Sequence, residues 1–269
     1  MKQTCSIIVG IVGIALCARV ALGEPAGEPH RVRHLVGIGA AIGLYVVSES
    51  VGKDALAPDA CRWCAPPGFD DTLVRNLEWR DPTRAASISN LTGYVLSPLA
   101  IGGWLLAASS GRPAHWVAFG DDMIAVTEAV VYSQLAVQVV KFSVGRQRPY
   151  AHYRSPAYPL AGNDDNLSFV SGHSALTFAI ATAAGTVAQR RHYALAPAIW
   201  ATGLSLATTT AYLRIAADKH YLSDVLAGGA LGAAAGVVLP RLLHALPGEL
   251  PGELTIVPTR SGVALSGSF

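Results

Sequence analysis

Apolar residues fall in six long runs, at about 35–47, 85–111, 123–140, 174–188, 194–213 and 225–239. Each run is long enough for a helix, and none has the strict apolar-polar alternation of a half-buried strand. Polar residues are gathered in blocks between them. From 53 to 84 every third residue or so is charged, whereas 85–111 holds no charge and has the length to span a bilayer, with Pro98 as a tolerated kink. The runs are rich in small residues, as in Leu226-Ala227-Gly228-Gly229-Ala230-Leu231-Gly232, which lets helix backbones approach closely. Thr127, Gln134, Gln138 and Lys141 share one helical face, which points inward in a membrane bundle and to water in a soluble one. Alternation appears only at the end of the chain. There Thr255-Ile256-Val257 and Val263-Ala264-Leu265 flank Pro258 to Gly262 and predict a β-hairpin.

The expected fold is therefore all-α, a bundle of about five to six core helices, membrane-embedded, with a short C-terminal β-hairpin. Residues 1–23 have a positive start, an apolar stretch and the small residues Ala21 and Gly23, the features of a secretory signal. Arg19 sits late in that segment, so an uncleaved anchor is the alternative, and either one exports the segment beyond it. The expected organisation is leader 1–23, exported segment 24–84, helical bundle 85–246, and linker with hairpin 247–269. The repeat of Pro247-Gly248-Glu249-Leu250 as Pro251-Gly252-Glu253-Leu254 is a short stiff linker.

Composition narrows the class. Hydrophobic residues make up 51% and charged residues 14% of the 269, against about 25% charged in an average soluble protein. That excludes a disordered, collagen-like or disulfide-knot chain. A net charge of +2 leaves no basic surplus for nucleic acid. Outside the leader the only thiols are Cys61 and Cys64. No second cysteine pair or nearby His completes a zinc site with them, so in an exported segment they are expected to form a small-loop disulfide.

Three polar clusters fall at the ends of the apolar runs: Lys141 with Arg148-Pro149, Ser171-Gly172-His173, and Arg214 with His220 and Asp224. Phosphoryl transfer needs cations and N–H groups around the non-bridging oxygens, a nucleophile, and an acid for the departing oxygen. Lys141, Arg148 and Arg214 supply the charge. Ser171 and Gly172 would stand at a helix N-terminus, where unpaired amides gather and Gly172 admits a close approach. His220 and Asp224 are four apart and share a face if the last helix has begun at His220. A carboxylate on one ring nitrogen would orient His220 as nucleophile. His173 is then the natural acid for the leaving group and later the base for water. Asn163-Asp164-Asp165-Asn166 precedes Ser171 and has the composition of a turn, with headgroup selection as a second possibility.

The ordered set Lys141-x6-Arg148-Pro149, Ser171-Gly172-His173 and Arg214-x5-His220-x3-Asp224 resembles the three-part signature of the type 2 phosphatidic acid phosphatase and vanadium haloperoxidase superfamily. The resemblance covers about 141–224 and the surrounding helices. It implies a metal-independent phosphatase in a helical bundle, with His220 forming a phosphohistidine, Asp224 orienting it, and His173 as acid and base. Lys141, Arg148, Ser171, Gly172 and Arg214 would hold the phosphate. Val170 stands where the family usually has Pro, and Leu213 where it usually has Ser; neither removes a titrating group. No cofactor is expected, with vanadate an inhibitor that mimics phosphate, or the cofactor of a haloperoxidase. A soluble exported acid phosphatase and a haloperoxidase are the alternatives, and a non-enzymatic membrane protein is argued against by the full titrating set.

The expected substrate is a lipid phosphate monoester or diphosphate, and the expected partner is the membrane, with no nucleic acid; oligomeric state is not legible. Arg190-Arg191 marks a cytoplasmic turn, which places the site on the periplasmic face of a bacterial-type inner membrane, or in the periplasm for a soluble form. The preferred topology has five spans after the leader, with 35–47 a short interfacial or packed helix. Six spans starting at Leu35 fit if the leader is neither cleaved nor inserted.

Overall fold

The computed structural model describes residues 28–160, 162–244, 253–259 and 262–268. The expected leader and Pro/Gly linker lie outside them. In chain order the helices are α1 (Glu28–Ser50), α2 (Lys53–Leu56), α3 (Gly68–Leu77), α4 (Pro82–Asn90), a π-helical segment (Leu91–Leu96), α5 (Ser97–Ser109), α6 (His115–Val144) and α7 (Pro149–His152). A 3-10 turn (Gly162–Asn166) leads to α8 (Gly172–Arg190), α9 (Ala196–Ala216) and α10 (Leu222–Leu243). Strands β1 (Glu253–Thr259) and β2 (Gly262–Ser268) pair antiparallel, Thr259 opposite Gly262. Pro258 falls within β1 rather than in the turn; a two-stranded sheet is all edge, where a missing N–H is tolerated.

Helix α8 is enclosed by α6, α9 and α10, with α5 also against it. From Ala179 to Ala188 every residue is buried, which explains why this helix is built of Ala, Gly and Thr rather than Leu. Its closest neighbour is α10, and three glycines one turn apart make that approach possible. A Cβ on Gly228 would stand 2.4 Å from the Ser171 carbonyl oxygen, one on Gly232 2.1 Å from that of Ala175, and one on Gly236 2.1 Å from Thr182 Oγ1. Backbone on backbone leaves no side chain to move aside. Gly232→Val is expected to force the helices apart, cost about 3 kcal/mol or more, and lower the thermal midpoint in detergent; an unchanged midpoint would contradict this packing.

Four helical stretches are long and apolar enough to cross a membrane: Arg31–Ser50, Pro82–Ser109, His115–Val144 and Leu222–Leu243. The run at 35–47 is therefore not the short element expected. It extends into α1, whose Val32, Leu35, Val36, Val46 and Val47 are exposed apolar side chains, a surface that lipid would cover. Helices α8 and α9, expected as spans, do not reach that apolarity. Their physical requirement is different, since α8 is surrounded by protein and needs small residues rather than oily ones.

Within the stretch Pro82–Ser109 the π-helical segment precedes Ser97-Pro98. Pro98 has no N–H to give to the preceding turn, and the local widening accommodates it. Ser97 Oγ bonds back to the Thr92 carbonyl at 2.7 Å. At its other end, α6 closes on Gly145 in the left-handed conformation (φ 62°), whose N–H reaches the Lys141 carbonyl. This stop places Lys141 in the last helical turn and Arg146 and Arg148 in the connection beyond.

Candidate active site

The three sequence clusters meet at one end of the bundle. Ser171 caps α8 with its side chain, accepting from the Ser174 N–H, and its own N–H donates to the Asp224 carbonyl at 3.0 Å. The start of α8 is thus tied directly to the first turn of α10. Lys141 lies alongside. Its Nζ is 3.7 Å from where a Gly172 Cβ would stand, which puts the ammonium beside the start of α8. Gln134 Nε2 donates to the Gly172 carbonyl at 3.3 Å, and Gln138 Nε2 to Ser48 Oγ at 3.2 Å. The polar stripe of α6 therefore points inward.

His220 is buried, and so is Asp224. Their closeness does not come from a shared helical face, because α10 begins only at Leu222. Asp224 instead turns back over the helix start. Its Oδ2 accepts from the Tyr221 N–H at 3.0 Å and from Ser168 Oγ at 2.6 Å, and lies 3.5 Å from His220 Nδ1. An acidic residue at the third helical position takes up otherwise unpaired amides, which holds this carboxylate in place. Nδ1 faces Asp224, which directs Nε2 away from it. Burial, then Arg148, Arg214 and Lys141, hold the His220 ring well below the ordinary imidazole value. The ring is therefore neutral, the form in which a nitrogen can attack.

The cations differ in how they are satisfied. Arg148 is anchored, with Nε donating to the Asp164 carbonyl at 3.0 Å and Nη1 to the Lys219 carbonyl at 3.4 Å. Arg214 is buried, donates Nη1 to Ser89 Oγ at 3.1 Å, and has an Nε with no hydrogen-bond partner among the described residues. Among the described residues neither Lys141 nor Arg214 forms an ion pair with a carboxylate. Two cations beside a neutral buried histidine, with no anion of their own, form a site for one.

His173, at the second position of α8, places Nε2 2.8 Å from Asn90 Oδ1, and its ring packs on Tyr94 at 4.7 Å between centroids. The amide oxygen can only accept, so the ring donates there. Both partners are brought to His173 by the end of α4 and the π-helical segment.

A second set of buried charges supports Asp224. Arg146 is 1% exposed; its Nη1 donates to Asp224 Oδ1 at 2.6 Å and to Ser223 Oγ at 2.6 Å, and its Nη2 to Asp70 Oδ2 at 2.8 Å. Asp70 Oδ1 in turn accepts from the Ser223 N–H at 3.0 Å. The guanidinium lies between the Trp63 ring (3.9 Å) and the Tyr221 ring (4.2 Å). Trp63 sits inside the loop closed by the Cys61–Cys64 disulfide, and that loop is hydrogen-bonded to the Gly145 carbonyl through the Arg62 and Trp63 N–H groups.

Residues 122–247 match the model of the PAP2 superfamily, a region that contains all eight proposed site residues. Over those residues, just under half of its length, the chain is similar to the PAP2 superfamily. That likeness points to phosphatase or phosphoesterase chemistry. Comparison with curated proteins finds no significant match.

Several residues of the site leave no mark in the sequence pattern. Arg146, Asp70 and Asn90 are separated from their partners by 76 to 83 positions, and nothing in local spacing announces such contacts. The acidic loop is legible in sequence only as a turn. In the structure it clamps Arg148: Asp164 lies 3.4 Å from Arg148 Nη2 and 2.5 Å from Lys53 Nζ. Although burial pushes the Asp164 carboxyl up, Arg148 and Lys53 hold it well below the usual carboxylate range. Tyr150, just after Arg148-Pro149, donates to Asp165 Oδ1 at 2.7 Å and braces the same loop. Leu213, at the position where the family usually has Ser, packs with Ala85, Ala216 and Ala217.

Proposed function

We propose that this protein is a membrane-embedded phosphatase that removes phosphate from a lipid monoester or diphosphate, without a metal in the site, through a phosphohistidine on His220. The single observation that carries this reading is the pairing of a neutral, buried His220 with Lys141 and Arg214, cations that lack carboxylate partners among the described residues.

The proposed reaction has two steps. The substrate phosphoryl group is held by Lys141, Arg148 and Arg214 and by the amides at the start of α8. His220 Nε2 attacks phosphorus, the bond to the lipid oxygen breaks, and His173, held through Nε2 by Asn90 and protonated on Nδ1 once the phosphate's negative charge is in place, gives that oxygen its Nδ1 proton. Asp224, 3.5 Å from Nδ1, stabilises the positive charge that grows on the ring. Water then attacks phosphorus, His173 takes its proton, and the P–N bond breaks to release inorganic phosphate.

A lipid substrate is supported by the bundle's flank. An open groove of about 620 Å³ is lined by Leu96, Leu99, Ala100, Ala201 and Leu206 together with the hydroxyl-bearing Thr202 and Ser205, beside the π-helical segment that carries Tyr94 onto His173. It offers an acyl or prenyl chain a path beside the site. With α1 crossing as well, four apolar stretches span and α8 and α9 run between them as a packed antiparallel pair; Arg112, Arg190 and Arg191 gather at the end away from the site, which by the positive-inside rule we read as cytoplasmic, with the site periplasmic.

The test is phosphate release by the purified protein in detergent, with EDTA present, from phosphatidate, phosphatidylglycerophosphate, a polyprenyl diphosphate and a soluble aryl phosphate. Turnover is expected to persist in EDTA, to favour one of the lipids by at least about tenfold over the aryl ester, and to be inhibited by vanadate. Equal turnover of the aryl ester would contradict the lipid assignment, and loss of turnover in EDTA would contradict the metal-free site.

A further inference from the structure

Deeper along the bundle from the phosphatase site, three segments far apart in the sequence bring together two imidazoles and a carboxylate. His34 comes from α1, Glu128 from the middle of α6, and His244 from the residue after α10. Glu128 and Lys141 are thirteen residues apart on one helix, which puts about 20 Å between this cluster and the phosphate pocket. Glu128 is fully buried and His34 nearly so.

The convergence is tight. His34 Nδ1 lies 2.9 Å and His244 Nε2 2.7 Å from the same oxygen, Glu128 Oε2. Among the described residues this is a group whose three ligand atoms all stand within 4.8 Å of one another. The two rings are stacked, 4.4 Å between centroids and 27° between planes, which keeps both beside the carboxylate. His244 follows the last helical residue, yet its backbone is fixed: Arg190 donates to the Pro240 carbonyl at 2.6 Å and to the His244 carbonyl at 2.8 Å.

We propose that His34, Glu128 and His244 form a binding site for a divalent transition-metal ion of the zinc type. Two imidazoles and one carboxylate are a ligand set such ions take, with a fourth position left for water. Bonds of about 2.0 to 2.2 Å in a tetrahedral shell put neighbouring ligand atoms about 3.3 Å apart. The nitrogen-to-oxygen separations seen here need widen by only about half an ångström. Metal–ligand bonds would replace the hydrogen bonds to Glu128, and their protons would pass to solvent. Solvent can reach the site past His244, whose side chain is 15% exposed. A bound ion would pin α1 and the end of α10 to α6, and it plays no part in the chemistry at His220.

The test uses tag-free protein in detergent, stripped with EDTA, equilibrated with ZnCl2 and desalted, with metal content read by mass spectrometry and the thermal midpoint recorded with and without Zn²⁺. About one zinc per chain and a raised midpoint are expected. Glu128→Gln, nearly isosteric, and His244→Ala should each weaken binding at least about tenfold and remove the midpoint rise, with phosphate release within about twofold of the parent. A zinc content below about a tenth of an ion per chain in the parent overturns the site, as does unchanged affinity in both variants. Since metal content and phosphate release are read separately, zinc binding without phosphatase activity would keep this site and reject the proposed function.

Discussion

His220→Ala is expected to lower kcat for phosphate release by about 10⁴-fold or more, while the protein still folds and still binds inorganic phosphate. The size of the loss reflects the role. His220 is a neutral, buried nitrogen base flanked by Arg148, Arg214 and Lys141, and alanine at this position leaves the phosphoryl group bound with nothing to attack it. Asp224→Asn should be milder than His220→Ala, since an amide still occupies the place 3.5 Å from Nδ1 but cannot balance the charge developing on the ring. Steady-state kinetics on the preferred lipid, with phosphate affinity measured alongside, separate the two. A His220→Ala protein with turnover within tenfold of the parent would remove the nucleophile assignment.

The second large effect is one of stability, and it comes from a residue outside the three motifs. Arg146→Met is expected to cost about 3 to 5 kcal/mol, because it leaves Asp70 and Asp224, both fully buried, without their shared cation. For a chain of this size that is a fall in thermal midpoint of the order of 10 °C. Activity should fall as well, since the Asp224 carboxylate that faces His220 is held on its other oxygen by Arg146. Arg146→Lys should recover only part of either, as an ammonium cannot bridge the two carboxylates with the flat fork that lies between Trp63 and Tyr221. A midpoint within about 2 °C of the parent for Arg146→Met would mean that the two carboxylates find other partners.

These two residues mark the boundary of what is legible in the sequence. Ser171-Gly172-His173 can be placed at a helix start because capping is a local matter, settled by Ser171 and the residues just after it. Lys141 and the inward stripe of Gln134 and Gln138 follow from helical spacing alone. The link between His220 and Asp224 is legible for a reason the structure replaces, since the carboxylate reaches back over the start of α10 rather than along a helix that includes His220. Arg146, two residues from Arg148, carries no signal of its own. Its meaning depends on Asp70, 76 positions away, and on an aromatic pair supplied by the disulfide loop and by Tyr221. Helix α1 is longer than its apolar run because His30, Arg31, Arg33 and His34 interrupt the pattern, whereas Arg31 pairs with Asp121 and His34 meets Glu128 on α6. Helices α8 and α9 read as spans in the sequence and are less apolar than the four candidate spans: in α8 the small and hydroxyl-bearing residues serve close packing against protein, whereas in α9 Ser205, Thr208 and Thr209 lie exposed.

The covalent step through His220 is the central claim, and a phosphoenzyme trap tests it most directly. Protein mixed briefly with substrate labelled in the transferred phosphate, quenched in alkali and separated under denaturing conditions, should carry label that is stable to base and lost in acid, as expected of a phosphohistidine. The label should be absent from His220→Ala. An unlabelled parent protein that nevertheless turns over, or label that persists in His220→Ala, would contradict the account.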